Sequence, residues 1–250
     1  MEILCAEDIV KVYEGSLEIN STNVLNGINL GIESGEFTAI MGQSGSGKTT
    51  LINILSGIDK PNSGTVKIMN KYITSLNKKE RSIFRRENLG IIFQAFNLLD
   101  NITLEENAAL PLIFNGRNTQ EIHEKIKEYF TFFGIYDIKD KYPYNVSVGE
   151  RQRAAACRAL INEPSIILAD EPTGSLDPST SKKFMRYMQI INKERNATIL
   201  MVTHNVYAAS YCKRVIFIND GRICTQIYNK GDQSSFFNRI LDTLVVISGE

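Results

Sequence analysis

The residues best suited to chemistry are Gly42-Gln43-Ser44-Gly45-Ser46-Gly47-Lys48-Thr49, which fit the pattern G-x-x-x-x-G-K-[ST]. The glycines free the backbone to curl into a nest of N–H donors around phosphate oxygens. The N-terminus of a following helix adds the positive end of its dipole. In such a loop Lys48 reaches the terminal phosphates and Thr49 offers its hydroxyl to Mg²⁺. A phosphate cradle also needs an acidic strand end to hold the metal, and Ile166-Ile167-Leu168-Ala169-Asp170-Glu171 supplies one. Asp170 is the expected Mg²⁺ partner, and Glu171 is placed to orient and polarise a water attacking a γ-phosphate. A strand ending in Asp-Glu can equally be a helix cap or a loop acid. The phosphate loop upstream favours the metal and water roles.

Two more polar residues end apolar runs. His204 follows Ala197–Thr203 and Gln94 follows Leu89–Phe93, so both stand at the sheet edge where open α/β folds bind ligands. On position alone each has two readings, a contact to the ligand, water or metal, or a solvated strand end. The other histidine, His123, lies in a polar helical stretch and reads as surface. Ser147-Val148-Gly149-Glu150 has the S-x-x-E spacing of a capping box. A helix N-terminus carrying a hydroxyl and a glycine is also a second anion-binding end.

The elements that must position these residues alternate. Short β-branched runs at Phe37–Met41, Leu89–Phe93, Ile166–Asp170, Ala197–Thr203 and Arg214–Asn219 are separated by helical patterns, which predicts a mostly parallel, doubly wound sheet. From Gln94 to Leu160 the pattern is helical, with helices over Thr103–Phe114 and Thr119–Phe133 and one opening near Ser147. This reads as an inserted helical subdomain at 94–160. Hairpin signals at Glu33-Ser34-Gly35-Glu36 and Pro61-Asn62-Ser63-Gly64 predict a small antiparallel sheet beside the core. Asn219-Asp220-Gly221-Arg222 predicts a hairpin joining Val215–Ile218 to Ile223–Tyr228. With no repeat and no low-complexity linker, 1–250 reads as one domain: 1–93 and 161–230 form the core and β subdomain, and 231–250 forms a C-terminal helix.

Composition excludes several alternatives. Lys+Arg 28 balances Asp+Glu 28, so there is no broad basic field to attract nucleic acid, and no nucleic-acid partner is expected. Hydrophobic content of 43% is enough for a folded core. Cys5, Cys157, Cys212 and Cys224 form no C-x-x-C pair and read as reduced thiols. The N-terminus is acidic and lacks the basic and apolar regions of a signal peptide, so a cytoplasmic location is expected. The most apolar stretch, Ile240 to Ser248, is too short to span a bilayer and contains Asp242, so any membrane role must come through a partner.

These motifs, in this order, resemble the ATP-binding cassette (ABC) ATPases over essentially the whole chain. The resemblance implies an α/β P-loop NTPase (RecA-like) core with a flanking antiparallel β subdomain and an inserted α-helical subdomain. It implies ATP and Mg²⁺ as ligands. Tyr13 would stack on adenine, and Gly42, Gln43, Ser44, Gly45, Ser46, Gly47, Lys48, Thr49 and Thr50 would hold the phosphates. Ser147, Gly149 and Asp177, the last in the Ser175-Leu176-Asp177 loop, would complete the ATP site. Thr49, Gln94 and Asp170 would ligate Mg²⁺, and Glu171, His204 and Gln94 would be catalytic. The family also implies a head-to-tail homodimer in which each ATP lies between one copy's P-loop and the other's signature serine. The family signature usually reads Leu-Ser-Gly-Gly-Gln; here Val146-Ser147-Val148-Gly149-Glu150 keeps the serine and second glycine and replaces the first glycine and the glutamine.

Within the family, Ile58–Gly64 and Ala169–Asp177 look like the lipoprotein-release, macrolide-efflux and peptide-antibiotic branch. Ser147–Arg153, Ala209-Ser210-Tyr211-Cys212 and Phe236–Asp242 are similar to the bacitracin-type antimicrobial-peptide resistance ATPases. That group implies an ATPase subunit bound at the cytoplasmic face of the bacterial membrane, an integral-membrane permease with ten spans, and a sensor kinase reached through it. The alternative within the branch is a lipoprotein-release, macrolide-efflux or cell-division ATPase. The permease contact is expected at Ala95-Phe96-Asn97-Leu98-Leu99, unless those apolar side chains pack within the insertion. The cluster Lys78-Lys79-Glu80-Arg81 with Arg85-Arg86 reads as a solvated helix face or a contact to anionic lipid.

Overall fold

A computed structural model describes residues 1–13 and 21–248. The last two positions of the expected segment 231–250 lie outside the described residues. In chain order the elements are β1 (Glu2–Tyr13), β2 (Thr22–Glu33), β3 (Phe37–Met41), α1 (Lys48–Leu55), β4 (Ser63–Ile68), β5 (Lys71–Tyr72), α2 (Lys78–Asn88), β6 (Leu89–Ile92), α3 (Leu104–Phe114), α4 (Thr119–Phe132), α5 (Val148–Leu160), β7 (Ile166–Asp170), α6 (Pro178–Arg195), β8 (Thr198–Val202), α7 (Val206–Ala209), β9 (Arg214–Asn219), β10 (Arg222–Tyr228) and α8 (Gln233–Ser248).

The central sheet has the order β10-β9-β3-β8-β7-β6 and is parallel except for the edge hairpin β9–β10. Strands β3, β7, β8 and β9 are buried on both faces, as parallel sheets require, while the edge strand β10 is largely exposed. Period-2 alternation sorts the side chains. Phe37, Ala39, Met41, Ile167, Ala169, Ile199, Met201, Val215 and Phe217 join a core with the helices α3 to α8. Ile40, Ile166, Leu168, Leu200, Val202, Ile216 and Ile218 face a second core built with α1, α2 and the other sheet. That other sheet, β2-β1-β4-β5, is antiparallel, as expected.

The turn at Glu33–Glu36 corrects the reading of the sequence. It closes with Glu36 N–H donating to Glu33 O at 3.1 Å, yet it is no hairpin, because β2 lies in the antiparallel sheet and β3 at the centre of the parallel one. Turn chemistry sets a reversal; the fully buried Phe37–Met41 run decides which sheet accepts the next strand. Pro61–Gly64 likewise leads from α1 into β4 and joins no pair of strands. A buried ion pair locks the junction of the two sheets. The Arg214 guanidinium on β9 lies 2.7 Å from the Glu36 carboxylate and donates to Gly31 O on β2 at 2.7 Å.

Capping boxes start three helices, Asn77 with Glu80 on α2, Thr103 with Glu106 on α3, and Ser147 with Glu150 on α5. On α2, Arg85 donates to Gly57 O at 2.8 Å, while Lys78 and Lys79 are exposed. All four cysteines are free thiols. Among the described residues no helix is long and apolar enough to cross a membrane.

Candidate functional site

Strand order builds the site. β3, β8, β7 and β6 lie side by side in parallel register, with Ile40 opposite Val202, Asp170 opposite Val202 and Ile92 opposite Ala169. The residues that follow each strand therefore meet along one edge: the loop from Gly42, then His204, then Asp170 and Glu171, then Gln94. They surround a cleft of about 530 Å³ lined by Val24, Ser44, Gly45, Gly47, Lys48, Thr49, Thr50, Gln94, Glu171 and His204, a size suited to a nucleotide.

The glycines of the loop are there for space and conformation. Gly47 is the N-cap of α1 at φ 95°, and a Cβ on it would stand 2.7 Å from Val24 O. A Cβ on Gly42 would stand 2.1 Å from Ile218 O. Lys48 is buried, and its Nζ donates to Gly42 O at 3.0 Å and Gln43 O at 2.8 Å. Burial lowers its pKa, and the charges of Glu171 and Asp170 oppose that shift. Thr49 Oγ1 donates to the Asp170 carboxylate at 3.3 Å, and desolvation raises the Asp170 pKa. Two oxygen donors of the kind Mg²⁺ prefers thus lie side by side below the phosphate loop.

Glu171 and His204 form the other wall. The Glu171 carboxylate is almost buried and accepts from the His204 backbone N–H at 3.1 Å and lies 2.8 Å from its Nδ1. A carboxylate accepts, so Nδ1 is the donor in this contact, on a side chain that is 67% exposed. Gln94 is exposed. Its amide crowds Gly174, where a Cβ would stand 3.3 Å from Gln94 Nε2.

Of the expected residues outside the cleft lining, Gly42, Gln43, Ser46 and Asp170 belong to the phosphate loop or the strand end beside it, whereas Ser147, Gly149, Asp177 and Tyr13 do not. Ser147 caps α5, its hydroxyl donating to Glu150 Oε2 at 2.7 Å and accepting from Glu150 N–H at 3.3 Å. Burial alone would raise the Glu150 pKa, but its bonds to Ser147 carry it below the usual value. Gly149 packs against α6, where an added Cβ would meet Thr180 Cγ2 at 2.5 Å. Asp177 caps α6 through the Ser179 and Thr180 N–H groups, and those bonds hold its pKa down to about 2. Tyr13 donates its phenol proton to Asp59 at 3.0 Å, and the Lys11 ammonium covers its ring at 4.8 Å. In the segment after Gln94, Phe96 is half-buried under the Arg151 guanidinium, Leu98 packs against the core, and Leu99 is 50% exposed.

A family model described as ABC transporter matches residues 25–174. The chain belongs to the ABC transporter family. Among ABC relatives, the bacitracin export ATP-binding protein BceA of Halalkalibacterium halodurans is 50% identical over 251 residues, covering 100% of this chain and 98% of that protein. The lipoprotein-releasing system ATP-binding protein LolD of Cytophaga hutchinsonii is 39% identical, covering 89% of this chain and 99% of that protein. The dimeric ABC cassette MJ0796 of Methanocaldococcus jannaschii superposes with a TM-score of 0.86 at 36% identity, covering 92% of this chain and all of that one. The same cassette is solved as a post-hydrolysis dimer bound to ADP and Pi, with a TM-score of 0.85. The P-loop NTPase architecture read from the sequence, and its likeness to the bacitracin-type group, agree with these matches.

Two residues at this ABC site went unnoticed in the sequence. Val24 reaches the cleft from β2, a strand with no chemical motif to signal it. Gln152 donates from its Nε2 to Pro172 O at 2.8 Å, one residue beyond Glu171. Its signal was available, because it stands on an apolar helix stripe with Ala155, Ala156 and Ala159, where a polar side chain is out of place.

Proposed function

We propose that this chain is the ATP-hydrolysing subunit of a bacterial ABC transporter that handles bacitracin-like peptide antibiotics together with a membrane permease. The observation that carries this reading is the 50% identity over the full chain to a bacitracin export ATP-binding protein. The LolD match keeps lipoprotein release as the second reading.

In the proposed reaction the glycine loop N–H groups and Lys48 bind the ATP phosphates. Thr49 and Asp170, adjacent in the structure, suit a hard oxygen-preferring cation, with Gln94 at the rim as a further oxygen donor. When bound, Mg²⁺ supplies charge neutralisation at the phosphates. Glu171 takes the proton of the water whose oxygen attacks the γ-phosphorus, as the bond to the bridging oxygen breaks and ADP leaves. His204 holds the Glu171 carboxylate through two donors and leaves Nε2 for the phosphate side.

Ser147 and Gly149 are not among the residues lining the cleft, and the MJ0796 relative is a dimer. Both facts support a homodimer in which each copy's signature, with Asp177 near the seam, completes the other's ATP site, and Tyr13 flanks the adenine. The further proposal is peripheral attachment at the cytoplasmic membrane face to a ten-span permease that communicates with a sensor kinase. The test is ATPase measurement on the chain co-purified with the proposed permease, in lipid nanodiscs. Bacitracin should raise turnover severalfold, and Lys48→Ala should abolish it. Turnover indifferent to bacitracin and raised by a lipoprotein would refute the antibiotic reading in favour of the second.

A further inference from the structure

Gln152 is a buried polar residue that packing does not explain. It is 1% exposed, and its Nε2 donates to Pro172 O at 2.8 Å while its Oε1 has no hydrogen-bond partner among the described residues. A carbonyl only accepts, so the orientation of the amide is set. Methionine would fill the same space without stranding an acceptor in the core. The half-satisfied amide therefore costs stability, and such costs concentrate where a site needs a particular geometry.

The geometry in question is that of Glu171. Its φ is 45°, in the left-handed region, and it precedes a proline, which restricts the preceding residue to extended conformations. Strain of this kind persists only where the surroundings over-determine it. Glu171 N–H donates to Val202 O at 2.9 Å, Gly174 N–H donates to Glu171 O at 3.0 Å, and Gln152 grips the next carbonyl along the chain. The bent backbone is what turns the Glu171 carboxylate onto His204. Gln152 stands on α5, the helix capped by Ser147, so one rigid element joins the second anion-binding end to the backbone beside Glu171.

We propose that Gln152 is a positioning residue for turnover: its bond to Pro172 O keeps Glu171 in the strained conformation that presents the carboxylate beside His204. The inference rests on the proposed ATPase role of Glu171. It is tested with Gln152→Met in the full chain. The expected result is a melting temperature equal to or above that of the wild type, affinity for a fluorescent ATP analogue within about twofold, and kcat lowered about ten- to a hundredfold. In a Glu171→Gln background the same change should lower single-turnover rate less than about twofold, because the group it positions is already gone. Gln152→Glu supplies a second measure. Its buried carboxyl donates to Pro172 O only when protonated, so kcat should fall as pH rises, relative to the wild-type profile. A Met variant with kcat within about twofold of wild type, or an undiminished loss in the Glu171→Gln background, overturns the inference. A wild-type chain without any turnover would instead refute the ATPase reading beneath it.

Discussion

Replacing Glu171 by glutamine separates holding the site together from performing its chemistry. Glu171 Oε1 receives the His204 N–H at 3.1 Å and faces Nδ1 at 2.8 Å, while Oε2 lies 3.4 Å from the same N–H. An amide oxygen at the Oε1 position keeps both short contacts, so the cleft should retain its shape. What the variant loses is a proton acceptor and one negative charge. General-base removal lowers rates by about 10²- to 10⁴-fold, equivalent to about 3–5 kcal/mol in the barrier. Binding should move the other way, because the lost charge no longer repels the ATP phosphates across the cleft. The assay is steady-state phosphate release at saturating ATP, paired with titration of a fluorescent ATP analogue and size-exclusion chromatography. We expect kcat to fall at least a hundredfold, ATP affinity to hold or tighten, and an ATP-bound dimer to accumulate. A kcat within about tenfold of wild type at unchanged affinity would remove Glu171 from the proposed base role.

Glu36→Ala leaves the Arg214 guanidinium buried at the sheet junction with no carboxylate 2.7 Å away, and should destabilise the fold by about 3–5 kcal/mol in urea unfolding. The Glu36→Leu, Arg214→Met pair should recover most of that loss, since no charge then remains unpaired. Burial pushes the Tyr129 phenol up to about 12, against the partial opposition of Arg195. The folded state therefore holds that proton more tightly than the unfolded chain. The stability this supplies is complete below pH 10 and is lost as pH climbs from 10 towards 12, up to about 2–3 kcal/mol. Comparing the alkaline stability profile with that of Tyr129→Phe isolates the contribution; parallel profiles would contradict it.

Much of the fold could be read directly because the relevant signals are local. The phosphate loop is one contiguous segment between an apolar run and a helix, and β3 and α1 occupy those places. Strands β7 and β9 have the expected bounds, and α3, α4, β6 and β8 differ only at their ends. The capping box at Ser147 needs only residues three apart. Other features depend on contacts between distant segments. The Glu33–Glu36 turn looks the same whether it joins two strands of one sheet or crosses between two. Tyr13 carries no sign in its surroundings that Asp59 and Lys11 will engage it.

The sequence accounted for the residue types at each strand end, the phosphate loop with its glycines, and the alternation that buries both faces of the central sheet. Those are consequences of backbone conformational freedom and side-chain periodicity within a few residues. It did not reveal that His204 clamps Glu171 or that Gln152 grips Pro172. These depend on strand order and helix packing. Periodicity tells a strand which of its faces is buried, but only the assembled layers determine which neighbour that face meets.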